Sequence, residues 1–383
     1  VNGAGALAAG AGFAAVAFAA ALAGAFAAGL TAAETGRAAV IITQAARSGP
    51  ARARQAARAA RAEAGMRTIK SAIILSLFLF AATAGMSVAC ARRASPPLLR
   101  FQYTRLQMGV QTRIVLWARS EAAAQGAAAA AFRRVDDLEQ IMSDYRAHSE
   151  LMQLCARAGG PPERVSRELF EVLSRSQDLS RRSLGAFDVT VGPSVALWRA
   201  ARKTGEFPSH TALARARAVS GWRRVTLDRY ERSVRLGVPG MKLDLGGIAK
   251  GCACDAALSA LKKKGIRSAL VEMGGDIAVS AAPPGEKGWK IEIPGGEALV
   301  LTNCGVSTSG DLYQYVEFGG KRYSHIVDPR TGLGLTSRIE VTVIAADATT
   351  SDSLATAISV LGEKDGRALV SDTSIRLFIR TAQ

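Results

Sequence analysis

The chain is poor in the residues that most often announce a metal or redox centre: 383 residues hold three histidines and five cysteines. No CxxC is present, and no spacing gathers thiolates or imidazoles around zinc. A bound metal would therefore be held by oxygen. The standard nucleotide fingerprints are absent as well: there is no GxxxxGK[ST] loop and no GxGxxG following a strand. Acidic residues are scarce at the front, where residues 1–100 carry eleven Arg/Lys against two Glu, a net of +9. The formal charge of the whole chain is +17, which leaves only +8 for residues 101–383. That balance gives no reading of nucleic-acid binding, although a mildly basic surface favours anionic ligands such as a dinucleotide. No internal repeat is evident.

Hydrophobic residues make up 49% of the chain and charged residues 21%, a globular composition with ample material for a core. Residues 1–65 are the exception, an Ala/Gly/Arg run that opens on Val and lacks turn chemistry or amphipathic order. This segment reads as an over-extended start in a GC-rich genome; the rival reading is an Ala-rich membrane segment at Ala6–Ala33. From Met66 the pattern sharpens. MRTIK is a basic n-region, SAIILSLFLFAATAG an apolar h-region, and SVAC at Ser87–Cys90 a small-residue exit, so residues 66–95 read as a secretory signal peptide. Cys90 is a candidate lipid anchor, although Ser87 stands where a lipobox has Leu, and cleavage at Ala89 or Ala84 is the alternative. Export would permit a disulfide, and Cys155 with Cys304 is the pair considered; Cys252 and Cys254 read as packing residues.

The stretch Lys242–Asp276, KLDLGGIAKGCACDAALSALKKKGIRSALVEMGGD, is the richest in chemistry. An acid, paired glycines and a lysine precede an amphipathic helix and a strand. Gly246 and Gly247 lack Cβ, so phosphates or a metal could approach the main chain closely before a helix starting near Ile248. Asp244 reads either as a ligand or as a cap of that helix. Lys250, in the first helical turn, opposes the helix dipole and calls for an anionic partner. A second block, YSHIVDPRTG at Tyr323–Gly332, supplies His325, with Asp328 and Arg330 read as locking the Pro329 turn. A third, TTSDSLATA, puts Asp352 and Thr356 one turn apart on one helical face. Their oxygens suit Mg²⁺, yet the same residues could be an N-cap and an ordinary helical Thr.

Periodicity predicts strands over Phe101–Leu116 broken at Met108-Gly109, then an Ala-rich helix through Met142 buried at Ala131, Val135, Leu138 and Ile141. Helices are expected at Ser166–Ser183, Pro193–Trp198 and Thr211–Val219, followed by strands Arg223–Asp228 and Ser233–Leu236. Beyond them come helix Ile248–Lys264, strands Ser268–Met273, Ile277–Ala281 and Trp289–Ile293, helix Asp352–Leu361, a helical turn Lys364–Val370 and a last strand Ile375–Arg380. Hairpins rather than regular βαβ units argue α+β with mixed or antiparallel sheets and packed helices.

MSDYRAHSEL (Met142–Leu151), GAFDVTVGP (Gly185–Pro193), DLGGIAKG, GGD (Gly274–Asp276), TSGD (Thr308–Asp311), SHIVDPRTG and DSLATA, taken in order, resemble the ApbE family of FAD:protein FMN transferases, from about Phe101 to the C-terminus. The resemblance implies a T-fold-related, two-lobed domain over residues 96–383 that takes FAD as substrate and Mg²⁺ as cofactor. It implies transfer of FMN to a Thr or Ser hydroxyl of an acceptor flavoprotein, such as an electron-transport subunit, with release of AMP. FAD contacts are implied at Met108, Tyr145, Ala186, Phe187, Asp188, Asp244, Lys250 and Ile326, with Tyr145 bordering the isoalloxazine. The implied metal ligands are Asp352, Thr356 and the carbonyls of Gly247 and Ala355, and His325 is the implied general base. An exported, periplasmic enzyme attached to the inner-membrane surface through Cys90 follows from the same resemblance. Departures occur at Val110 for the usual Thr, Cys155 for Asn, Cys252 for an aromatic, and Ala355 where some relatives carry a second Asp. The rivals are FAD hydrolysis to FMN and AMP on the same site, and a flavin-binding lipoprotein without chemistry.

Overall fold

The computed structural model describes residues 55, 59, 66, 73–80, 96–310 and 314–381. The Ala6–Ala33 segment, Cys90, the cleavage positions Ala84 and Ala89, and Asp311 of the TSGD motif lie outside them. The chain divides into two compact units, Val1–Ser95 and Pro96–Gln383. In the first, residues 73–80 of the expected h-region are helical. Among the described residues no helix is long and apolar enough to cross a membrane.

The second unit opens with a hairpin of β1 (Leu99–Gln107) and β2 (Val110–Ala118), turned by Met108 and Gly109, both at positive φ. Helix α1 (Glu121–Met142) follows, capped by Ser120, and then α2 (Glu150–Ala156), capped by Ser149. The sequence gives α2 little hydrophobic period, and it is absent from the expected elements. A short β3 (Glu163–Arg164) leads into α3 (Arg167–Arg182), α4 (Gly192–Thr204) and α5 (His210–Ala218). Strands β4 (Val225–Asp228) and β5 (Ser233–Leu236) complete a small sheet with β3.

Next come α6 (Ala249–Lys263), β6 (Ala269–Met273) and β7 (Asp276–Val279). The hairpin β8 (Trp289–Ile293) and β9 (Glu297–Leu301) precedes β10 (Cys304–Gly310). Four short strands follow: β11 (Tyr315–Phe318), β12 (Lys321–Ser324), β13 (Val327–Asp328) and β14 (Leu333–Gly334). The chain ends on β15 (Ile339–Ala345), α7 (Ala348–Leu369, broken at Gly362) and β16 (Arg376–Thr381).

The main sheet has the order β1-β2-β6-β7-β10-β15-β16. Every pairing among the described residues is antiparallel, so of the expected mixed or antiparallel sheets the antiparallel form holds. Strand alternation divides the core in two. Ile114 and Leu116 of β2, Val271 of β6 and Val341 and Val343 of β15 face the helices, whereas Val115, Leu270 and Ile344 face Trp289 and Ile291 of the β8–β9 hairpin. Burial on both faces explains why these strands read as continuous apolar runs rather than clean alternation.

Two details place the site. Helix α7 begins at Ala348, four residues before the expected Asp352, because Asp347 Oδ1 accepts the Thr350 N–H at 2.7 Å. Asp255 on α6 adds a second cap, accepting from the N–H groups of Ala348 and Thr349, each at 2.9 Å. Helices α6 and α7 also cross closely at Gly251, where a Cβ would collide with the Ala348 carbonyl. Glycine there is a packing requirement. Cysteines 155, 252, 254 and 304 are free thiols, which overturns the Cys155–Cys304 disulfide. Cys155 instead accepts the Leu243 N–H at 3.2 Å, and Cys254 lies against the Asp276 carbonyl at 3.6 Å.

Candidate active site

The turns at one end of the main sheet converge. Gly274 stands against Val110, next to the Met108–Gly109 turn, and a Cβ on it would fall 2.9 Å from Val110 Cγ1. The Thr308 N–H donates to the Gly275 carbonyl at 3.2 Å. Met108, the GGD turn and the end of β10 therefore share one rim, which the start of α6 and the Asp352–Thr356 turn of α7 reach.

At the centre of this rim Lys250 lies between two carboxylates. Its Nζ is 2.7 Å from Asp276 Oδ2 and 3.7 Å from Asp352 Oδ1, and both acids are almost fully buried. Asp352 Oδ2 accepts the Gly251 N–H at 2.9 Å. Burial alone would lower the Lys250 pKa, but Asp276 and Asp352 more than reverse this and raise it, so the ammonium stays charged. Asp352 moves in the opposite sense to an ion-paired acid. Burial, with the charge of Asp276 second, pushes it up to about 7 against the opposing pull of Lys250 and the Gly251 N–H. Since Asp347 holds the cap, Asp352 is not the N-cap the sequence allowed; the carboxylate sits a full turn inside α7. The helix-dipole conflict at Lys250 is answered within the protein, by Asp276 and Asp352.

Thr356, one turn beyond Asp352, lies 3.4 Å from Ser309 Oγ of the TSGD motif through its own Oγ1. Gly247 sits against it, and a Cβ on Gly247 would fall 2.9 Å from Thr356 Oγ1. That cradle exists only because the residue is glycine. Buried carboxylates, a hydroxyl and main-chain oxygen are hard donors of the kind Mg²⁺ takes, and the Asp276 charge that adds to burial in raising Asp352 is what a divalent cation would relieve. The residues present fit the cation. The Ala355 carbonyl, the fourth ligand the resemblance implies, accepts the Ser359 hydroxyl at 2.9 Å within α7.

A second cluster forms the outer wall. Arg199 of α4 donates to Asp244 Oδ2 at 2.8 Å and to Asp144, while its guanidinium lies 4.3 Å from the ring centroid of Tyr145. Asp244 Oδ1 accepts the Gly246 N–H at 2.8 Å in a local turn, and Ile248, the N-cap of α6, has no side-chain cap; the capping role allowed for Asp244 is not what it performs. Burial first, then the nearby charge of Asp144, raises the Asp244 pKa, with Arg199 opposing. The Asp244 N–H donates to the Val189 carbonyl at 2.7 Å, which ties this wall to the Ala186–Asp188 loop. Ala186 and Phe187 are buried. The Asp188 carboxylate is fully engaged inside the protein, accepting from Thr190 Oγ1 at 2.7 Å, Thr190 N–H at 2.8 Å and Trp222 N–H at 2.9 Å.

His325 follows β12. Its N–H donates to the Gln314 carbonyl at 2.9 Å, and Nδ1 approaches the same oxygen at 3.2 Å. A carbonyl only accepts, so this contact calls for a proton on Nδ1. Ile326 continues the hairpin through its carbonyl, which accepts the Leu335 N–H at 2.8 Å. The turn beyond is locked by the two-pronged Arg330–Asp328 pair, both contacts at 2.9 Å, and Arg330 reaches the Val360 carbonyl of α7 at 3.3 Å. Trp198 holds the other side, donating to the Gly332 carbonyl at 2.8 Å and stacking on Tyr323 at 5.0 Å.

Gly247, Lys250, Asp352 and Thr356 thus come together, as do Tyr145 and Asp244. Sequence reasoning did not assign Asp276, Arg199 or Asp144. Asp276 had a signal, since a lysine at a helix start demands an anion and GGD stood among the motifs. Arg199 had none, because its partners lie 55 and 45 residues away.

The family model described as the ApbE family matches residues 108–379. An FAD:protein FMN transferase of Treponema pallidum is 33% identical over 296 residues, 71% of this chain and 82% of that protein. One from Vibrio cholerae is 32% identical over 254 residues, covering 63% and 75%. Among solved structures, the apo form of the Pseudomonas stutzeri flavinyl transferase ApbE superposes with a TM-score of 0.68 at 29% identity, covering 75% of this chain and 92% of that one.

Proposed function

The chain belongs to the ApbE family, whose curated relatives are FAD:protein FMN transferases, and from that premise we propose that it transfers FMN from FAD to a Thr or Ser hydroxyl of an acceptor protein, with Mg²⁺ and with release of AMP. The observation that carries the finer reading is the oxygen-lined nest of Asp352, Thr356 and Gly247 beside a lysine held charged by Asp276. A protein that only stores flavin has no use for buried carboxylates at such a cost in desolvation.

In this reading the flavin lies along the wall of Met108, Tyr145 and Asp244, and the diphosphate reaches the nest. Asp352, Thr356 Oγ1 and the carbonyls of Gly247 and Ala355 would hold Mg²⁺. When bound, the cation neutralises charge on the diphosphate. Lys250 supplies a fixed positive charge beside it, pre-oriented by Asp276, so no reorganisation is needed as charge develops. The acceptor hydroxyl oxygen attacks the phosphorus on the FMN side, the bond from that phosphorus to the bridging oxygen breaks, and AMP leaves. His325 Nε2 takes the hydroxyl proton, without which the nucleophile is weak. The basic start at Met66 and the apolar helical stretch at 73–80 support export to the periplasm, with Cys90 as the anchor to the inner membrane.

The test is incubation of the purified protein with FAD and Mg²⁺, with and without a peptide carrying a flavinylation threonine. Transfer predicts covalent flavin on the peptide and AMP in one-to-one amount. AMP and FMN formed equally well without peptide would make the enzyme a hydrolase, and no AMP in either case would leave a flavin-binding protein.

A further inference from the structure

The Arg199 cluster is the strongest feature of the site that the reaction scheme leaves without a task. Three elements distant in sequence meet there: the segment after α1 that carries Asp144 and Tyr145, helix α4, and the loop carrying Asp244. One guanidinium, carried by α4, touches the other two. It donates to both carboxylates and lies over Tyr145, 4.3 Å from its ring centroid. Asp144 and Asp244 are side by side, so without a cation between them two like charges would face each other. The arginine is itself only 26% exposed, whereas Tyr145 is 77% exposed. One face of the ring is therefore backed by the guanidinium and the rest is open to solvent, which is the form of a platform for a second planar group.

Trp198, the residue before Arg199, holds the turn behind His325 through Gly332 and stacks on Tyr323. Adjacent residues of α4 thereby reach both walls of the site. A helix places neighbours about 100° apart, so a single rigid element can brace two surfaces at once.

We propose that Arg199 is a positioning residue for flavin binding, which clamps Tyr145 and Asp244 into one wall and presents the open face of Tyr145 to the flavin ring. This rests on the FAD reading of the site. It adds that wall formation depends on a residue that need not touch the substrate. Lysine at this position keeps the charge but loses the planar fork that engages two carboxylates and a ring simultaneously.

The experiment uses the full-length protein and FAD as the probe. Flavin fluorescence quenching measures binding, and AMP release at saturating acceptor peptide gives KM and kcat. Arg199→Met is expected to weaken FAD binding and raise KM about tenfold or more, the loss of a desolvated cation–π contact and two charge-assisted hydrogen bonds, with kcat lowered less than about threefold. Arg199→Lys should fall between the two. In Tyr145→Ala the further substitution Arg199→Met should cost less than it does alone, because the two act through one wall. Parent-like FAD binding in Arg199→Met, or a loss confined to kcat, overturns the proposal. Since the binding assay needs no turnover, failure of FMN transfer in the parent protein would leave this result readable.

Discussion

The nest around Lys250 and the wall around Arg199 are built from the same parts, one cation between two carboxylates, and are used in opposite ways. Asp276 and Asp352 are each about 2% exposed, and their lysine is hemmed in by α6, α7 and β7. Asp144 is partly open, and its arginine reaches outward to an exposed tyrosine. In the nest the charges do not balance comfortably: Asp352 is pushed up to about 7 by burial and by Asp276, in spite of the lysine. In the wall a forked guanidinium donates to both acids, although burial and the charge of Asp144 raise the Asp244 pKa there as well. Paired acids buried in a dry, rigid place are suited to a divalent cation and a diphosphate; a half-open cluster joined by a forked guanidinium is suited to holding a surface in shape. The comparison divides labour between chemistry at the nest and binding at the wall.

His325 gives the largest break in that division, since it belongs to neither cluster. His325→Ala is expected to lower FMN transfer by ~10²–10⁴-fold, the usual loss of a general base, with FAD affinity little changed. If instead the variant transfers at the parent rate from about pH 6 to 9, deprotonation lies with another group, and Asp311 of the TSGD motif is next to test.

Rigidity of the nest can be probed at Gly251, where α6 and α7 cross. Gly251→Ala would drive a methyl into the Ala348 carbonyl and the Asp352 side chain, so a loss of about 1–3 kcal/mol of stability is expected, the usual cost of overpacking. Chemical denaturation measures it. No loss would mean that the crossing is loose and the nest less fixed than its geometry implies.

A smaller effect is expected in the pH dependence of stability. The folded Asp352 value of about 7 lies above the ordinary 3.8. The folded, metal-free protein thus binds more protons than the unfolded chain between these values, and stability should fall as pH rises through that window. Asp188, Asp244 and Asp255 are shifted upward by burial too and share the slope. Melting in chelator should therefore show a shallower decline in Asp352→Asn, with the remainder left by the other acids. An unchanged slope would remove the charge imbalance from the nest. Smallest of all, a chain beginning at Pro96 is expected to keep activity, since the site is contained in Pro96–Gln383; an insoluble product without FAD affinity would give the preceding region a structural role.

The two clusters also differ in how far the sequence discloses them. Gly247, Lys250, Asp352 and Thr356 lie in two short motifs whose spacing is set by helical turns, so one face of α6 and one of α7 could be read directly. Even there the start of α7 was misplaced, because Asp347 and Asp255 compete with Asp352 for the capping role and a single chain cannot say which wins. The wall is different. Tyr145 and Asp244 were recognisable from their motifs, but Arg199 follows an expected helix end at Trp198, and its two carboxylate partners come from two other segments whose meeting with α4 is decided by packing. Hairpins made mixed or antiparallel sheets legible, but the order of the strands was hidden for a similar reason, since strands buried on both faces carry little alternation to read.

Asp352→Ala set against Tyr145→Ala tests the division most directly, with FAD binding by calorimetry and AMP release measured on each at saturating and limiting Mg²⁺. The account predicts that Asp352→Ala binds FAD as the parent does while turnover falls by roughly 10³-fold or more, the several kcal/mol a bound cation supplies, and that Tyr145→Ala loses affinity with kcat largely kept. Unchanged AMP release by Asp352→Ala at limiting Mg²⁺, or an equal loss of FAD affinity in both variants, would contradict it.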